Sequence, residues 1–390
     1  MNKIKKLIKE LCPHGVEYKL LKDVSEMKRG QSITTKNLKV GKIPVIAGGQ
    51  EPSFYNDKYN REGETITVSS SGAYAGFLNY WNEPILCTDS FSIKAKKLNM
   101  RYLYHYLKMK QSEIYNKKRG AGIPHVHISD LEKLKVPVPP LEVQEEIVRI
   151  LDKFGELEAE LEAELEARES QYEFWRGKLF EIRDSKEVRL DELFNLKNGF
   201  TPSKSNSEFW KNGTIPWFRM EDIRENGRIL DDSIQHVTVE ATKGNIMPAN
   251  SIIISTSATI GEHALITCKS LSNQRFTYLM LKDEYKNFVD MKYIFYHCFL
   301  LDKYCLGNLN QGNFASIDMN AFKKYIFKIP SLEKQKKIVS ILDRFDALTS
   351  NITIGLPAEI ELRRKQYEYY RNKLLSFEEL RWIKVNILWK

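Results

Sequence analysis

The sequence of 390 residues contains few cysteines and no long apolar run. Its five cysteines are an odd number without Cys-x-x-Cys spacing, which argues against a disulfide scaffold or a structural zinc site and favours a reducing, cytoplasmic location. The longest apolar runs, such as 252–254, are far shorter than the ~20 residues that span a bilayer. Charges interrupt the apolar positions of the N-terminus, so we predict neither a membrane protein nor a signal peptide.

The motifs of several catalytic classes are also missing. There is no Gly-x-x-x-x-Gly-Lys-Ser/Thr loop of an ATP-driven motor and no glycine-rich loop for a dinucleotide or a methyl donor. An Asn-Pro-Pro-Tyr-like tetrapeptide of an amino-methyltransferase is absent as well. His125 and His127 alternate without a third ligand nearby, so no metal site is predicted. We therefore expect a recognition protein without catalytic residues or a cofactor of its own.

The net charge is +9 and the pI is about 9.0, which favours a polyanionic partner. The charge is unevenly distributed, because residues 156–169 contain seven glutamates and one arginine. Such an acidic stretch is a poor surface for phosphate groups. We expect it to face away from DNA or toward a partner protein, although an ordinary solvated helix face explains it equally well.

The chain is a tandem repeat. Residues 139–154 recur as 330–345 at an offset of 191 without a gap, and residues 171–179 recur as 366–374 at an offset of 195. Each half therefore consists of a variable block of about 140 residues and a repeated block of about 45. The tail from Leu374 also aligns on the segment that begins at Leu179, so the chain ends as a further copy would begin.

The repeated blocks have the apolar spacing of long helices. Apolar residues recur every three or four positions through 141–179 and again through 338–352. The first helix would be about 58 Å long. Because one domain cannot bury such a helix, it needs an antiparallel partner, for which the other copy is the obvious choice. Gly355 and Pro357 predict that the second copy kinks or restarts.

The variable blocks have the pattern of mixed α/β domains. Short strand-like runs such as 66–68 and 252–254 alternate with glycines and precede helical stretches. The predicted fold class is therefore α+β, with two similar mixed α/β domains joined by two long antiparallel helices in a pseudo-twofold tandem repeat. The predicted divisions are 1–138, 139–180, 181–329, 330–376 and a vestigial further copy at 377–390.

This organisation resembles the specificity subunit of type I restriction-modification enzymes over the whole chain. The likeness includes tetrapeptides of the pattern Leu-Glu-Ala-Glu at 157–167, where related subunits have short repeats in the central helix. The other motifs that resemble the family are Leu11–Val16, Pro139–Val148, Gly199–Ser203, Ile215–Phe218 with Asp222-Ile223, Thr259–Gly261 and Asn273-Gln274.

The resemblance implies a DNA-binding function. Each variable block is then a target recognition domain that recognises one half of a split, asymmetric site in double-stranded DNA. The helices hold the two domains apart and dock two methyltransferase (modification) subunits, and restriction/translocase subunits complete the assembly. S-adenosylmethionine, ATP and Mg²⁺ are expected to bind those partners. This chain is expected to have no catalytic activity of its own. The alternative is a coiled-coil scaffold that binds proteins without sequence-specific DNA recognition.

Candidate DNA-binding residues are polar side chains in loops of each variable block. Arg and Lys suit guanine, Asn and Gln suit adenine, and Ser and Thr suit either, although each such residue is more often a turn residue or a phosphate contact. In the first block they are Lys28, Arg29, Gln31, Gln50, Ser69, Ser70, Ser71, Tyr74, Arg119 and His125. In the second block they are Lys197, Asn198, Thr201, Lys204, Arg219, Thr256, Gln274, Arg275, Asn310, Gln311 and Asn313.

Two further features of the helices have both a structural and a functional interpretation. Aromatic and arginine residues of the repeated blocks either pack in the core or anchor the methyltransferase subunits. The tetrapeptide run is either a solvated helix or a spacer that sets the distance between half-sites. One tetrapeptide lengthens a helix by about 6 Å, which is close to two base-pair steps. The candidate partner-binding residues are Tyr172, Trp175, Arg176, Tyr367, Tyr370 and Arg371.

Overall fold

Contacts between residues divide the chain into two units. Unit 1 contains residues 1–163 and 358–390, and unit 2 contains residues 164–357. The computed structural model of the protein describes residues 2–32, 40–120, 122–310, 315–350 and 354–380. The order of strands and helices is nearly the same in the two units, as a tandem repeat predicts.

Unit 1 is a mixed α/β domain. Its elements in chain order are α1 (Asn2–Leu11), β1 (Tyr18–Leu20), α2 (Leu21–Val24), β2 (Ser25–Arg29), β3 (Ile43–Ile46), β4 (Phe54–Asn56), β5 (Thr65–Ser69), β6 (Leu78–Trp81), β7 (Leu86–Cys87), β8 (Ser90–Ala95), α3 (Met100–Met109), α4 (Gln111–Tyr115), α5 (Ile128–Leu131) and β9 (Lys135–Pro137). Helix α6 (Leu141–Lys178) follows, and the boundary between the units falls within it.

Unit 2 repeats this order. Its elements are β10 (Lys186–Arg189), α7 (Leu190–Leu193), β11 (Phe194–Asn198), β12 (Ile215–Phe218), α8 (Met220–Asn226), β13 (Ile229–Leu230), β14 (His236–Val237), β15 (Ser251–Ser255), β16 (His263–Ile266), β17 (Leu271–Ser272), β18 (Phe276–Leu281), α9 (Met291–Leu306), α10 (Met319–Lys323), β19 (Ile326–Ile329) and α11 (Leu332–Thr349). Helix α12 (Leu356–Leu375) returns the chain to unit 1.

The sheets have equivalent strand orders in the two units. Unit 1 has sheets β2-β8-β5-β6 and β4-β3-β7, and unit 2 has β11-β18-β15-β16-β13 and β14-β12-β17. In the three-stranded sheets the pairs β3-β7 and β12-β17 are parallel. The predicted mixed α/β domains are therefore confirmed, and strand β13 of unit 2 is an addition to the shared plan.

The central strands are buried on both faces. All five residues of β5 and all five of β15 are buried, which explains why these strands consist of β-branched residues and serines and contain no charged residue. In unit 1, Ile66 and Ile93 of the sheet share one core with Tyr102, Leu103 and Leu107 of α3. Helix α3 thus covers the strands because its apolar side chains need the same burial.

A glutamine at the start of each repeated helix joins that helix to its domain. Gln144 is buried, donates to the carbonyl of Pro139 at 2.7 Å and accepts from the backbone N–H of Asn99 at 2.9 Å. Gln335 makes the equivalent bonds to the Pro330 carbonyl at 2.8 Å and from the Asp290 N–H at 2.9 Å. The repeated glutamine therefore satisfies buried backbone groups where strand, helix and domain meet.

Within unit 1, α6 and α12 run antiparallel. Phe154 stacks on Tyr370 at 5.4 Å, and one turn further along α6 Arg364 donates to Glu158 and Glu162, at 2.6 Å each. Residues closer to the C-terminus of α6 therefore contact residues closer to the N-terminus of α12. The tetrapeptide leucines of α6 are half-buried and most of its glutamates are exposed, as the sequence predicts.

Within unit 2, the second part of α6 packs on α11. Tyr172 stacks on Phe345 at 5.7 Å with the rings 11° from parallel. Helix α11 ends at Thr349 and α12 begins at Leu356, which confirms the predicted restart near Gly355 and Pro357. Among the described residues, no helix is both long and apolar enough to cross a membrane.

Candidate nucleic-acid interface

Four loops of unit 1 lie together at the ends of its strands. The hydroxyl of Ser69 donates to the Gly49 carbonyl at 3.2 Å, and that of Ser70 donates to Asp89 at 2.9 Å. The N–H of Val126 donates to the Ser70 carbonyl at 3.0 Å. We call this group the loop cluster of unit 1 and define it as residues 48–50, 69–76, 88–89, 119–120 and 122–126.

Arg119 and His125 belong to the loop cluster, but both the backbone and the guanidinium of Arg119 form hydrogen bonds within the protein. Their backbones exchange two hydrogen bonds of 3.0 and 2.7 Å. The Arg119 guanidinium donates to buried Asp130 at 2.5 Å, while the His125 ring lies parallel to that of His127 at 6.1 Å. The side chain of Arg119 is 73% exposed, so its remaining donors can face a ligand.

The other candidates of unit 1 differ in position. Tyr74 is exposed in the loop that follows β5, and the Gln50 carbonyl accepts from Asn79 at 2.7 Å at the edge of the loop cluster. The N–H of Gln31 donates to the Cys87 carbonyl at 2.9 Å, next to the loop of Asp89. Lys28 lies on β2 in an ion pair of 2.9 Å with Glu26, away from the loops, and Arg29 is the last residue of that strand.

In unit 2 a basic cleft of about 330 Å³ brings five candidates together. It also contains Arg224 and one acid, Glu221, so its charged residues are four cations and one carboxylate. A concave surface with this excess of positive charge attracts phosphate groups. The candidates in the basic cleft are Thr201, Lys204, Arg219, Gln274 and Arg275.

Arg219 is positioned by buried groups at the start of α8. Its backbone N–H donates to Asp222 at 2.6 Å, and its guanidinium lies 5.8 Å from the Trp217 ring. The Nε atom of Arg219 is buried and has no hydrogen-bond partner among the described residues, and the Glu221 carboxylate lies 3.9 Å from it, beyond hydrogen-bond distance. A buried guanidinium N–H without an acceptor is costly, so this atom is available to a ligand. Thr201 donates to Gln274 across the same cleft.

Three of the remaining candidates of unit 2 are linked through hydrogen bonds. Thr277 donates to Asn198 at 3.0 Å and shares a hydrogen bond of 3.0 Å with Thr256. Asn310 donates to the Ile317 carbonyl at 3.0 Å, and the Ile317 N–H donates to the Thr256 carbonyl at 3.1 Å. Lys197 is exposed on β11. Gln311 and Asn313 lie outside the described residues.

The structure adds three residues that were not among the candidates. Trp217 and Arg224 line the basic cleft, and Asp89 lies at the centre of the loop cluster. The sequence around Arg224 does not indicate a binding role, because charged residues on short helices are usually solvated. The sequence does not indicate such a role for Asp89 either, because an acidic residue is not expected on a surface that binds DNA.

A second kind of concave site lies where each domain meets the helices. In unit 1 a cleft of about 670 Å³ is lined by α3, α6 and α12 and includes Tyr367 and Arg371. In unit 2 a cleft of about 960 Å³ is lined by α6, α9, α11 and residues 223–229, and it includes Tyr172 and Arg176. These pairs of residues are equivalent in the repeat, so the same sequence block contributes a tyrosine and an arginine to each helix cleft.

A hydrogen-bonded network lines the helix cleft of unit 1. Asp152 accepts from Arg101 at 2.6 Å and pairs with His105 Nε2 at 2.7 Å, while His105 Nδ1 lies 3.0 Å from the Tyr367 hydroxyl. Burial opposes ionisation of Asp152, but hydrogen bonds from His105 and Arg101 outweigh it and lower the pKa. Burial lowers the pKa of His105 despite the nearby carboxylate. The Arg371 Nε atom is buried without a partner in the described chain.

The helix cleft of unit 2 also contains an arginine over aromatic rings. The Arg176 guanidinium lies 3.9 Å from the Phe299 ring and 5.0 Å from the Tyr172 ring, as Arg371 lies 5.3 Å from Tyr367 in unit 1. Burial raises the pKa of Asp346, which lines the same cleft. Of the six candidates for partner binding, four therefore line the helix clefts. Tyr370 instead packs on Phe154, and Trp175 lies exposed against Phe174.

Known proteins share this architecture. A family profile described as the type I restriction modification DNA specificity domain matches residues 13–167 and 182–362. The EcoprrI specificity subunit of Escherichia coli is 53% identical over 212 residues, which are 52% of this chain and 53% of that protein. The EcoR124I/EcoR124II specificity subunit of Escherichia coli is 37% identical over 380 residues, which are 83% of this chain and 88% of that protein.

A solved structure shares the fold at low sequence identity. The type I restriction-modification S subunit from M. genitalium superposes with a TM-score of 0.55 at 18% identity and covers 93% of this chain and 96% of its own. The chain belongs to the type I restriction-modification DNA specificity family. As a specificity subunit, it recognises DNA and is not itself an enzyme, so the scaffold alternative is not supported.

Proposed function

We propose that each unit recognises one half of a bipartite, asymmetric DNA site. The observation that supports this is the basic cleft of unit 2, whose polar side chains occupy loops equivalent to the loop cluster of unit 1. The equivalent loops differ in chemistry: Arg119 corresponds to Asn310, and His125 to Ser316. The same framework with different side chains implies two different half-sites separated by DNA that is not recognised.

The test is the DNA motif that is methylated when the chain is expressed with its methyltransferase partner. We expect a bipartite motif with two unlike half-sites and an unspecified spacer between them. Because each half-site depends on one unit, Arg219→Ala should alter only the half-site of unit 2, with a loss of about 10-fold at one base pair. A continuous or palindromic motif would contradict the proposal.

We further propose that the two helix clefts dock two methyltransferase subunits, to which restriction subunits then bind. In each cleft the repeated block contributes a tyrosine with an arginine over its ring, which is typical of interface anchors. Two equivalent sites on one chain suit two copies of one partner. S-adenosylmethionine, ATP and Mg²⁺ are proposed to bind those partners.

Single-cleft variants should remove one partner copy each. We expect Arg371→Glu to weaken binding of one methyltransferase subunit by about 30-fold and Arg176→Glu to do the same for the other. Native mass spectrometry should then show complexes with one partner copy for each variant and none for the double variant.

The matched control is Arg168→Glu, which reverses a charge on α6 at a residue that pairs with Glu164 at 2.7 Å and lines neither cleft. It should retain both partner copies. Glu368→Lys, an exposed change in the cleft of unit 1, gives a second measurement if Arg371→Glu disturbs folding. Two bound copies on a folded Arg371→Glu variant would contradict docking at this cleft.

A further inference from the structure

The hydrogen bonds of the two units place Asp89 and Arg275 at equivalent positions. In unit 1 the N–H of Ser70 donates to the Asp89 carbonyl at 3.3 Å. In unit 2 the N–H of Thr256 donates to the Arg275 carbonyl at 2.9 Å. Ser70 and Thr256 both follow the last residue of the central strand, β5 or β15. The loop before β8 or β18 therefore presents opposite charges in the two domains.

A second pair of bonds fixes the same register. The Gly30 N–H donates to the carbonyl of Ser90, the residue after Asp89, at 2.8 Å. The Gly199 N–H donates to the carbonyl of Phe276, the residue after Arg275, at 2.8 Å. The two contacts thus give the same equivalence, although one residue is an acid and the other a base.

Asp89 is an exposed acceptor held in a fixed orientation. Ser70 donates to its Oδ1 atom at 2.9 Å and Ser71 donates to its Oδ2 atom. Within the described ranges Asp89 forms no ion pair, and it is exposed to solvent. A carboxylate has about four acceptor sites, so two hydroxyl donors leave acceptor capacity on both oxygens.

A carboxylate without a cation is unfavourable beside phosphate groups, because like charges repel. Base edges offer it donors, and in the major groove an aspartate is matched by the N4 amino group of cytosine. The guanidinium of Arg275, which lines the basic cleft, is matched instead by the O6 and N7 acceptors of guanine.

We propose that Asp89 is a specificity-determining residue that accepts a hydrogen bond from a cytosine N4 amino group in the half-site of unit 1. Arg275 donates to a guanine at the corresponding position in the half-site of unit 2. This inference rests on the proposed function, because it assumes that the loop cluster and the basic cleft face DNA. It adds the base chemistry that distinguishes the two half-sites.

The first experiment determines the methylated motif of Asp89→Asn in the complex with its modification subunits. An asparagine can pair with adenine, so we expect one position of the unit 1 half-site to lose its preference for C·G by about 10-fold and to accept A·T. Arg275→Ala should relax one guanine position of the other half-site only. Glu83→Gln is the charge-matched control, because Glu83 follows the opposite end of β6, and it should leave both half-sites unchanged.

The second experiment uses the wild-type complex, so that it does not depend on the folding of a variant. Replacing the assigned cytosine with 2-pyrimidinone, which lacks the N4 amino group, should weaken binding about 10-fold. The same replacement should cause no further loss of DNA binding by the Asp89→Asn complex. A unit 1 half-site unchanged by Asp89→Asn, or wild-type binding unaffected by the base analogue, would overturn the inference. A wild-type motif that is not bipartite would instead overturn the proposed function.

Discussion

Removal of Leu161 and Glu162 from α6 is expected to abolish DNA modification by the complex, whereas removal of Leu161–Glu164 should preserve it. Each helical residue turns the chain by about 100°, so two residues rotate one end of α6 by about 200° relative to the other. Four residues rotate it by only about 40°. We expect the two-residue deletion to reduce methylation at the bipartite site by more than 100-fold, because both half-sites can no longer be contacted together.

The contacts of α6 explain why a four-residue deletion is tolerated. Arg364 donates to Glu158 and Glu162 across the helix pair of unit 1. After removal of Leu161–Glu164, Leu165 and Glu166 occupy the positions of Leu161 and Glu162, so the half-buried leucine and the ion pair are both restored. The two-residue deletion places Ala163 where a leucine is half-buried.

The four-residue deletion also tests whether the tetrapeptide run sets the spacer between the two half-sites. It shortens α6 by about 6 Å, which is close to two base-pair steps. We expect the methylated motif to keep both half-sites and to lose one or two base pairs of spacer. An unchanged spacer, or half-sites with different bases, would show that the run is only a solvated helix.

The sequence predicts the parts of this fold that depend on local spacing or on repetition. The 191-residue offset pairs Gln144 with Gln335, and the structure gives the two side chains the same buried bonds. Three-to-four spacing predicts α6 to within one residue of its end, and Gly355 with Pro357 predicts the restart of α12. These features follow from helix geometry and backbone chemistry, which act over a few residues.

The interface depends on contacts between distant segments, which the sequence does not reveal. The guanidinium of Arg119 is bound by Asp130, eleven residues away, so part of a candidate base contact is a structural ion pair. Asp89 meets Ser70 and Ser71 only because β5 pairs with β8. Residue type alone favours Arg119 as a base contact and does not indicate Asp89, because the sequence does not show that Asp130 binds the arginine or that two serines orient the aspartate.

Substitution of Asp222 by alanine is expected to destabilise unit 2 by about 3 kcal/mol. The Asp222 carboxylate is fully buried and accepts from two backbone N–H groups, those of Arg219 and Ile234, at 2.6 Å each. Its loss leaves both backbone donors without their carboxylate acceptor, and hydrogen bonds to a charged group contribute about 1.5 to 3 kcal/mol each. Asp222→Asn should be intermediate, because an amide has a single acceptor oxygen.

The effect should appear both in stability and in recognition. Hydrogen exchange of the backbone amides at 215–235 should accelerate by about 100-fold for Asp222→Ala, while amides of β5 in unit 1 remain protected. Because Asp222 holds the backbone of Arg219 at the basic cleft, the unit 2 half-site should be lost and the unit 1 half-site retained. Glu284→Ala, an exposed change elsewhere in unit 2 at a residue that lines neither cleft of that unit, is the control and should alter neither measurement. Exchange rates for Asp222→Ala within 5-fold of the wild type would mean that the two backbone donors find other acceptors.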